Sequence, residues 1–507
     1  MDFDIQYWES LKKAALLGTD RGRLPGQMLR ALAESGVSNR LPPQQIVLEG
    51  AALFHQLSRT AAAPEVFTGS LPPAPGETGQ RYAGRRAAYH LQLILEGRFR
   101  PALPEFIRLL VEKKRAFPPE SLPSLLEQAL TDPLFWRTIE PAVGPVGHWL
   151  IGRHPHWRAL TPGGPWSTGT AIERRRLFAH LRQTDPGRAM RLLSDDWPQL
   201  GFREQVDFLD LLEPTLGPAD EPFLEARLDN RRREVRRRAA DLLARIESAA
   251  LPQRLFGKLN RYLRISEDER LQVELPDHFD ATLLRDGITE KSPPGQPAGR
   301  REGWLLQMLA RVPPAWWTEA FTNDPAECIR LFLQAGRQEL WLTALGEAAL
   351  RYRDAEWMEA LLLYWEENDR EGPWKNSLPE QLMDALSAEA FHRLALQLLR
   401  RRGRLPGAGS LTAHLLSRSR HAWPEQLSVL FIRSLQQWLA ELPPFQSAPP
   451  AYRAQLEAAA YHSDPGLLDQ LRRGWPLQAP SWRLWEKEVE TFLNTLMFRR
   501  EMQRSLE

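Results

Sequence analysis

The segment 202–246, FREQVDFLDLLEPTLGPADEPFLEARLDNRRREVRRRAADLLARI, decides the predicted fold. Near both of its ends, apolar residues recur every three or four positions, as on one face of an α-helix: Phe202, Val206 and Leu209, then Val235, Ala239, Leu242 and Ile246. Between them, Pro218 to Leu228 predicts a short helix that ends at the Asp229-Asn230 turn. Three short amphipathic helices joined by tight turns indicate a helical protein.

The last of these helices resembles the second helix of a HEAT repeat. The resemblance rests on an Asp before a turn, then Val-Arg, then the paired alanines Ala239 and Ala240 and paired leucines. In that family, small alanines let stacked helices approach closely. The resemblance implies an all-α fold, an α-solenoid of HEAT-like antiparallel helix pairs in which each repeat buries its face on the next.

A recurrent helix-start motif supports the prediction that the rest of the chain is helical as well. An Asp-Pro pair preceded by Thr, Asn or Ser occurs at 131–133, 184–186, 323–325 and 463–465. A side-chain oxygen before Pro suits a helix start, because it caps free backbone N–H groups while Pro occupies the first helical position. Strand signals are scarce, and LQVEL (271–275) alternates over too few residues to predict a sheet.

Composition shifts predict the domain organisation. The 507 residues suit two or three domains or one elongated array, and two stretches rich in Pro and Gly separate helical blocks. We predict an N-terminal helical cap (1–59), a linker or loop (60–80), a HEAT-like helical block (81–288), a second linker or loop (289–300) and a Trp-rich helical block (301–507).

A long amphipathic helix is predicted near the end of the chain. Its stripe consists of Trp482, Trp485, Val489, Phe492 and Leu496. Ser481 is expected to cap its start, and Arg499 and Arg500 are expected to lie near its negative C-terminal end.

Charge and residue counts limit the function classes. The formal net charge is +2, so nucleic-acid binding would need a local basic face. The single cysteine, Cys328, excludes internal disulfides and is expected to be a small core residue. His154 and His156 flank Pro155 and form no metal motif, so we expect no metal and no cofactor. No apolar run suits a membrane span and no secretory signal is visible, so we expect a cytoplasmic protein.

The arginine cluster RRREVRRR (231–238) is the sharpest local charge feature. On a helix its members share faces in pairs four apart and offer a surface for a protein partner or for backbone phosphates: Arg231, Arg232, Arg233, Arg236, Arg237 and Arg238. Glu234 lies four residues before Arg238, and Asp241 lies four residues after Arg237, so local ion pairs are predicted. The favoured role is structural, since HEAT helices commonly use such arginines to bridge neighbouring repeats.

The stretch AALLGTDRGRLPG (14–26) looks like a phosphate loop but lacks the Gly-Lys-Ser/Thr ending, and no strand precedes it. Gly18 is predicted to end the first helix in a left-handed conformation. Thr19, Asp20 and Arg21 complete this signature turn, and we expect Asp20 and Arg21 to tie the first helix to its neighbour. Hydrolysis centred on Asp20 and Arg21 is the minor alternative.

The opening YWESLKKAALLGTDR (7–21) resembles a family of bacterial proteins of unknown function that begin with W-x-x-L…A-L-x-G-T-D-R. The resemblance continues through GRHPHWRAL (152–160), LPDHFDATLLRDGI (275–288) and DAEWMEALL (354–362). Members are typically encoded near MoxR-type AAA+ ATPases, von Willebrand A-domain proteins and SWIM zinc-finger proteins. The resemblance brings no catalytic residue.

Together these features favour a non-enzymatic helical adaptor. The resemblance implies a protein partner, either the MoxR-type ATPase or the von Willebrand A-domain protein. The alternative is a nucleic-acid-binding HEAT-repeat protein, similar in principle to the HEAT-fold DNA glycosylases, which cradle the duplex in a basic groove. The arginine cluster motivates that alternative.

Overall fold

The structure, a computed structural model, describes residues 5–60, 81–161, 166–291, 298–368, 377–402, 405, 407, 410–442 and 450–507. Helix accounts for 72% of it, in 27 α-helices, which confirms the all-α class. The predicted linker 60–80 lies outside the described residues except for Thr60, and so does 292–297 of the second predicted linker. The chain forms two compact units, residues 1–74 and 75–507.

The first unit contains three helices: α1 (Ile5–Leu17), α2 (Gly26–Glu34) and α3 (Pro43–Thr60). Helix α1 packs on α3. The small core of this unit is formed by Leu11, Ala14, Met28, Leu32, Val37, Ile46 and Val47.

The second unit, called here the large unit, begins with short helices that alternate with 3-10 turns. These helices are α4 (Arg85–Leu95), α5 (Leu103–Glu112), α6 (Leu122–Thr131), α7 (Pro133–Ile139) and α8 (Gly144–Arg153). A parallel pair of two-residue strands, β1 (Arg81–Tyr82) and β2 (Arg115–Ala116), joins the start of α4 to the end of α5.

The middle of the large unit contains the segment that decided the predicted fold. Its helices are α9 (Ala171–Thr184), α10 (Pro186–Asp196), α11 (Phe202–Leu212), α12 (Glu221–Glu225), α13 (Arg233–Leu243), α14 (Ala250–Tyr262) and α15 (Ala281–Arg285). The predicted stripe of α13 is confirmed, because Val235, Ala239 and Leu242 are fully buried. The stripe of α11 is partly wrong, since Phe202 is 40% exposed and Phe208 is buried instead.

A hairpin follows α14, where the sequence predicted no sheet. Strands β3 (Leu263–Ile265) and β4 (Leu271–Val273) pair antiparallel, with Leu263 opposite Val273. Leu263 and Leu271 are buried in the core. Each strand has only three residues, but one buried leucine from each strand anchors the hairpin in the helical core.

The described residues of the remainder of the large unit are mainly helical. Its helices are α16 (Arg300–Leu309), α17 (Pro314–Phe321), α18 (Pro325–Gln334), α19 (Gln338–Tyr352), α20 (Ala355–Asn368), α21 (Leu378–Ala385), α22 (Ala388–Arg402), α23 (Leu411–Ser417), α24 (Glu425–Glu441), α25 (Pro450–His462), α26 (Leu468–Leu471) and α27 (Trp482–Leu506). None of the helices described in the structure is both long and apolar enough to cross a membrane.

The four Asp-Pro sites start helices as predicted. Asp132 accepts hydrogen bonds from the backbone N–H groups of Leu134 and Phe135, both at 3.0 Å. Asp185 and Asp324 cap α10 and α18 in the same way, and Asp464 caps a 3-10 turn. Local side-chain chemistry therefore sets these boundaries.

Helix α27 joins the two hydrophobic cores of the large unit. Its first half, with Trp485, Val489, Phe492 and Leu496 buried as predicted, belongs to the core that begins at Phe178. Its second half, with Phe498, Met502 and Leu506, completes the core of residues 83–160. The last helix of the chain thus packs on α4 and α5, the first helices of the large unit.

Arg499 fixes this contact. Its Nε and one terminal nitrogen donate to the two carboxylate oxygens of Glu105 at 2.6 and 3.0 Å. The other terminal nitrogen donates to the carbonyls of Ala460 and Ser463, both at 2.7 Å. The expected role of Arg499 at the negative end of α27 is wrong, because the helix continues to Leu506. Ser481 does not cap α27 through its side chain either; its hydroxyl donates to the carbonyl of Leu439.

Arg499→Met is expected to lower the free energy of unfolding of the large unit by about 3–5 kcal/mol, because it leaves the Glu105 carboxylate in the protein without its cation. The matched control is Arg500→Met, since Arg500 pairs with the 64% exposed Asp469. That change should cost less than about 1 kcal/mol. Denaturant unfolding followed by tryptophan fluorescence compares the two variants, and equal losses would contradict the prediction.

Candidate interaction surface

The signature turn, Gly18 to Arg21, ends the first helix. Helix α1 stops at Leu17, and Gly18 follows with a φ of +80°, in the left-handed region that favours glycine. The Gly18 carbonyl accepts hydrogen bonds from the backbone N–H groups of Arg21 at 3.2 Å and Gly22 at 2.8 Å. The predicted helix stop at Gly18 is confirmed.

Gly22, which the sequence reasoning did not single out, determines how closely the turn packs on α1. A Cβ atom at Gly22 would lie 2.6 Å from the Cα atom of Ala14 and 3.2 Å from the Gly18 carbonyl oxygen. Both of those are backbone atoms, so only glycine fits. The available signal was a second glycine four residues after Gly18, close to a small residue on the helix.

Asp20 and Arg21 do not tie α1 to its neighbour. Both side chains are exposed, and neither makes a hydrogen bond or ion pair with another residue that the structure describes. Helix α2 starts after Pro25 without a side-chain cap. The expectation was wrong because the Gly18 carbonyl and the contact of Gly22 with α1 hold this corner.

Gly22→Ala is expected to destabilise the first unit by about 1–3 kcal/mol, because the added methyl group meets backbone that cannot move aside. Gly26→Ala is the matched control, since a Cβ atom at Gly26 meets nothing within 4 Å. The control should be neutral or slightly stabilising. Limited proteolysis within residues 1–60 measures the difference, and unchanged cleavage of Gly22→Ala would refute the close contact.

The arginine cluster divides into internally bonded and exposed members. Arg236 donates to the backbone carbonyls of Asn230 at 2.6 Å and Arg231 at 3.2 Å, near the start of α13. Arg238 is half-buried and faces α11. The other members of the cluster are exposed and make no ion pair within the described part of the chain: Arg231, Arg232, Arg233 and Arg237.

Arg238 bridges α13 to α11. Its Nε lies 2.6 Å from a carboxylate oxygen of Asp210, and a terminal nitrogen lies 2.5 Å from Glu213. Arg245 approaches Glu213 at 3.1 Å. Burial opposes ionisation of Glu213, but the hydrogen bond from Arg238 and the charge of Arg245 outweigh it and lower the pKa of this carboxyl.

The local ion pairs predicted within α13 are wrong. Glu234 is exposed and does not pair with Arg238, because that guanidinium pairs with Asp210 of α11 and with Glu213 just after it. Asp241 pairs with Arg311 at 2.9 Å, not with Arg237. Arg238 and Asp241 therefore form ion pairs with residues outside α13, and not with the residues four positions away on the same helix.

An ion-pair row, defined by the contacts that follow, joins successive helices of the large unit. On its first step, Arg174 and Arg175 of α9 meet Glu204 and Asp207 of α11 at 2.8 and 2.5 Å. The Arg238 contacts join α11 to α13, and the pair of Asp241 with Arg311 joins α13 to the end of α16. Helices α9, α11 and α13 are direct neighbours in this order.

The row ends in a charged cluster at the C-terminal end of α19. Arg351 donates to the carbonyls of Ala310 at 2.9 Å and Asp241 at 3.3 Å. Burial, together with the charge of Arg311, lowers the pKa of Arg351 to about 10. One turn earlier, Glu347 remains accessible to solvent, but partial loss of hydration, together with the charge of Asp241, raises the pKa of its carboxyl despite the nearby charges of Arg351 and Arg311.

Glu347→Gln is expected to stabilise the protein at pH 7. The raised folded pKa means that ionising this carboxyl costs folding free energy at every pH above its unfolded value of about 4.3. The gain should shrink steadily as the pH falls toward about 3.5, because a growing fraction of the wild-type carboxyl is then protonated in both states. Denaturant midpoints of wild type and variant from pH 3.5 to 8 measure it, with the exposed Glu339→Gln on the same helix as the control for loss of one charge. A gain that is independent of pH would contradict the assignment.

The remaining sequence candidates form no chemical site. His154 and His156 lie in the turn after α8, and the ring of His154 stacks on Trp157 with centroids 4.1 Å apart. Cys328 is fully buried in α18, and burial raises the pKa of its thiol to about 12, which disfavours the thiolate. Among the described residues, no group of three or more His, Cys, Asp or Glu side chains is arranged to hold a metal ion.

The fold and the ion-pair row define a mostly helical protein in which several neighbouring helices are joined by charge pairs. The chain belongs to DUF5691, a family of unknown function whose model matches residues 10–506. No curated protein and no solved structure gives a significant match to the chain.

Proposed function

We propose that the chain is a non-enzymatic helical-repeat scaffold, an α-solenoid of HEAT-like antiparallel pairs that docks a protein partner. The observation that carries the proposal is the ion-pair row, in which α9, α11 and α13 lie side by side and are joined by arginine–carboxylate pairs. Repeats that stack in register bring equivalent helices together in this way. The blocks 81–288 and 301–507 are part of this proposal.

The paired alanines of α13 support a HEAT-like reading. Ala239 and Ala240 are both fully buried. A Cβ atom at Gly287 would lie 2.5 Å from the Cβ atom of Ala240, so a small residue at 240 lets the chain after α15 approach α13. The resemblance to HEAT repeats implies this kind of close packing across small alanine side chains.

The exposed arginines of α13 provide the docking surface of the proposal. Arg233 and Arg237 lie one turn apart on one helix face and make no ion pair with described residues, so their charge is available to a partner. An acidic face complements them. The family resemblance points to the MoxR-type AAA+ ATPase or the von Willebrand A-domain protein, in the cytoplasm.

The test is a pull-down of tagged full-length chain with each of these proteins under mild cross-linking, with and without ATP. Wild type should retain one of them, and Arg233→Ala with Arg237→Ala should reduce retention at least tenfold. The matched control is Arg188→Ala with Arg191→Ala, two exposed arginines on α10. The proposal fails if wild type binds neither protein, and the α13 surface is wrong if both double variants behave alike.

The alternative, nucleic-acid binding through the arginine cluster as in HEAT-fold DNA glycosylases, has less support at α13. Arg236 and Arg238, two of the six arginines, are bonded within the protein. Another basic surface, at the start of the large unit, is better suited to bind a polyanion.

A further inference from the structure

The start of the large unit carries a concentration of positive charge that the sequence reasoning did not single out. Between positions 81 and 115 there are nine basic and three acidic residues, in a chain with a net charge of only +2. The structure brings six of the basic residues to one end of α4 and α5. This basic patch consists of Arg81, Arg85, Arg86, Lys113, Lys114 and Arg115.

Strand pairing places the two halves of the patch together. Strand β1 pairs with β2 in parallel register, so Arg81 stands beside Arg115. Lys114, in the left-handed region with a φ of +52°, turns the chain from the end of α5 into β2. Arg85 and Arg86 begin α4, three residues after β1. Residues more than 25 positions apart in the chain thus form one surface.

The acidic residues of the segment do not neutralise this patch. Glu105 is bound to Arg499, and Glu112 pairs with Arg108 at 2.6 Å on the side of α5. Glu96 lies at the opposite end of α4. Just after α27, the backbone carbonyl of Glu507 accepts a hydrogen bond from Arg115. Glu501 of α27 lies near His90, in the middle of α4, and not near the patch at its start.

The patch is exposed and rigidly held. Arg81, Arg85, Arg86, Lys113 and Lys114 are exposed and make no ion pair with described residues, while Arg115 is half-buried. Helix α4 is fixed from behind, because Ala87, Leu91 and Ile94 are buried in the core. His90 also meets the hydroxyl of Ser505 on α27 at 3.1 Å. A polyanion would therefore meet a preformed array of cations.

An exposed aromatic ring adjoins these cations. Tyr89 is 59% exposed and lies three and four residues after Arg86 and Arg85, on the same face of α4. Arginine forks with a neighbouring exposed aromatic suit a nucleic acid, because the guanidinium groups bind phosphates and the ring stacks on a base. An acidic polypeptide would use the charges but not the ring.

We propose that the basic patch, with Tyr89, binds the phosphate backbone and bases of a nucleic acid. The inference does not rest on partner docking at α13, which lies on a different part of the large unit. Binding is carried by charge, so the affinity falls as salt rises.

The experiment measures binding of fluorescent single-stranded and duplex oligonucleotides to the full chain, between about 50 and 200 mM salt. Arg85→Glu, Arg86→Glu and Lys113→Glu combined should weaken binding at least tenfold and make the log–log salt dependence shallower by about two to three. The matched control reverses the same number of exposed charges elsewhere in the large unit, with Arg188→Glu, Arg191→Glu and Arg203→Glu, and should retain most of the affinity. Circular dichroism and thermal unfolding check that both variants are folded.

Substitution of Tyr89 distinguishes binding of a nucleic acid from binding of an acidic polypeptide. Tyr89→Ala should weaken binding of single-stranded oligonucleotide several-fold, and Tyr89→Phe should retain it because the ring remains. Polyglutamate is the competing probe. The proposal is overturned if no oligonucleotide binds at low salt, if the control variant loses as much affinity as the patch variant, or if polyglutamate binds as tightly as oligonucleotide while Tyr89→Ala has no effect.

Discussion

The contact of Arg499 with Glu105 is the interaction on which the large unit depends. A guanidinium that is 4% exposed is stable only when its donors are satisfied, and here a carboxylate and two backbone carbonyls satisfy them. The arginine also fixes the register of α27. That register decides which face of the helix covers each core, so one polar contact aligns apolar residues over the whole length of α27.

Elsewhere in the molecule, charge has two separate roles. Along the ion-pair row, arginines are matched by carboxylates of the adjacent helix and hold helices in order. Arg233 and Arg237 of α13 and the exposed arginines of the basic patch have no such partners among the described residues. The difference lies in the neighbouring helix, not in the arginine sequence. A run of arginines is therefore an interaction surface only where packing leaves it unmatched.

Features set within a few residues were predictable from the sequence. Gly18 as a helix stop and Asp132 as a helix cap depend only on local backbone and side-chain geometry. The buried stripe of α13 follows from its period. These elements make up much of the helical fold, and they required no knowledge of what packs against them.

Features set by distant parts of the chain were not predictable. The partners of Arg238 lie on another helix, and the partner of Arg499 lies 394 positions away. Phe202 has the right spacing to be buried, but it remains 40% exposed at the start of α11, with Arg232 over its ring. The hairpin of β3 and β4 was missed because each strand is too short to show a period. The basic patch is assembled by strand pairing, so it is scattered in the sequence.

The position of α27 also constrains how the protein is made. Residues 83–160 leave the ribosome hundreds of residues before Phe498, Met502 and Leu506, which complete their core. During translation that region therefore presents an unfilled apolar surface, while the following helices can already fold onto each other. Closure of the large unit therefore has to wait until α27 has been synthesised. Transiently exposed apolar surface of this kind favours aggregation.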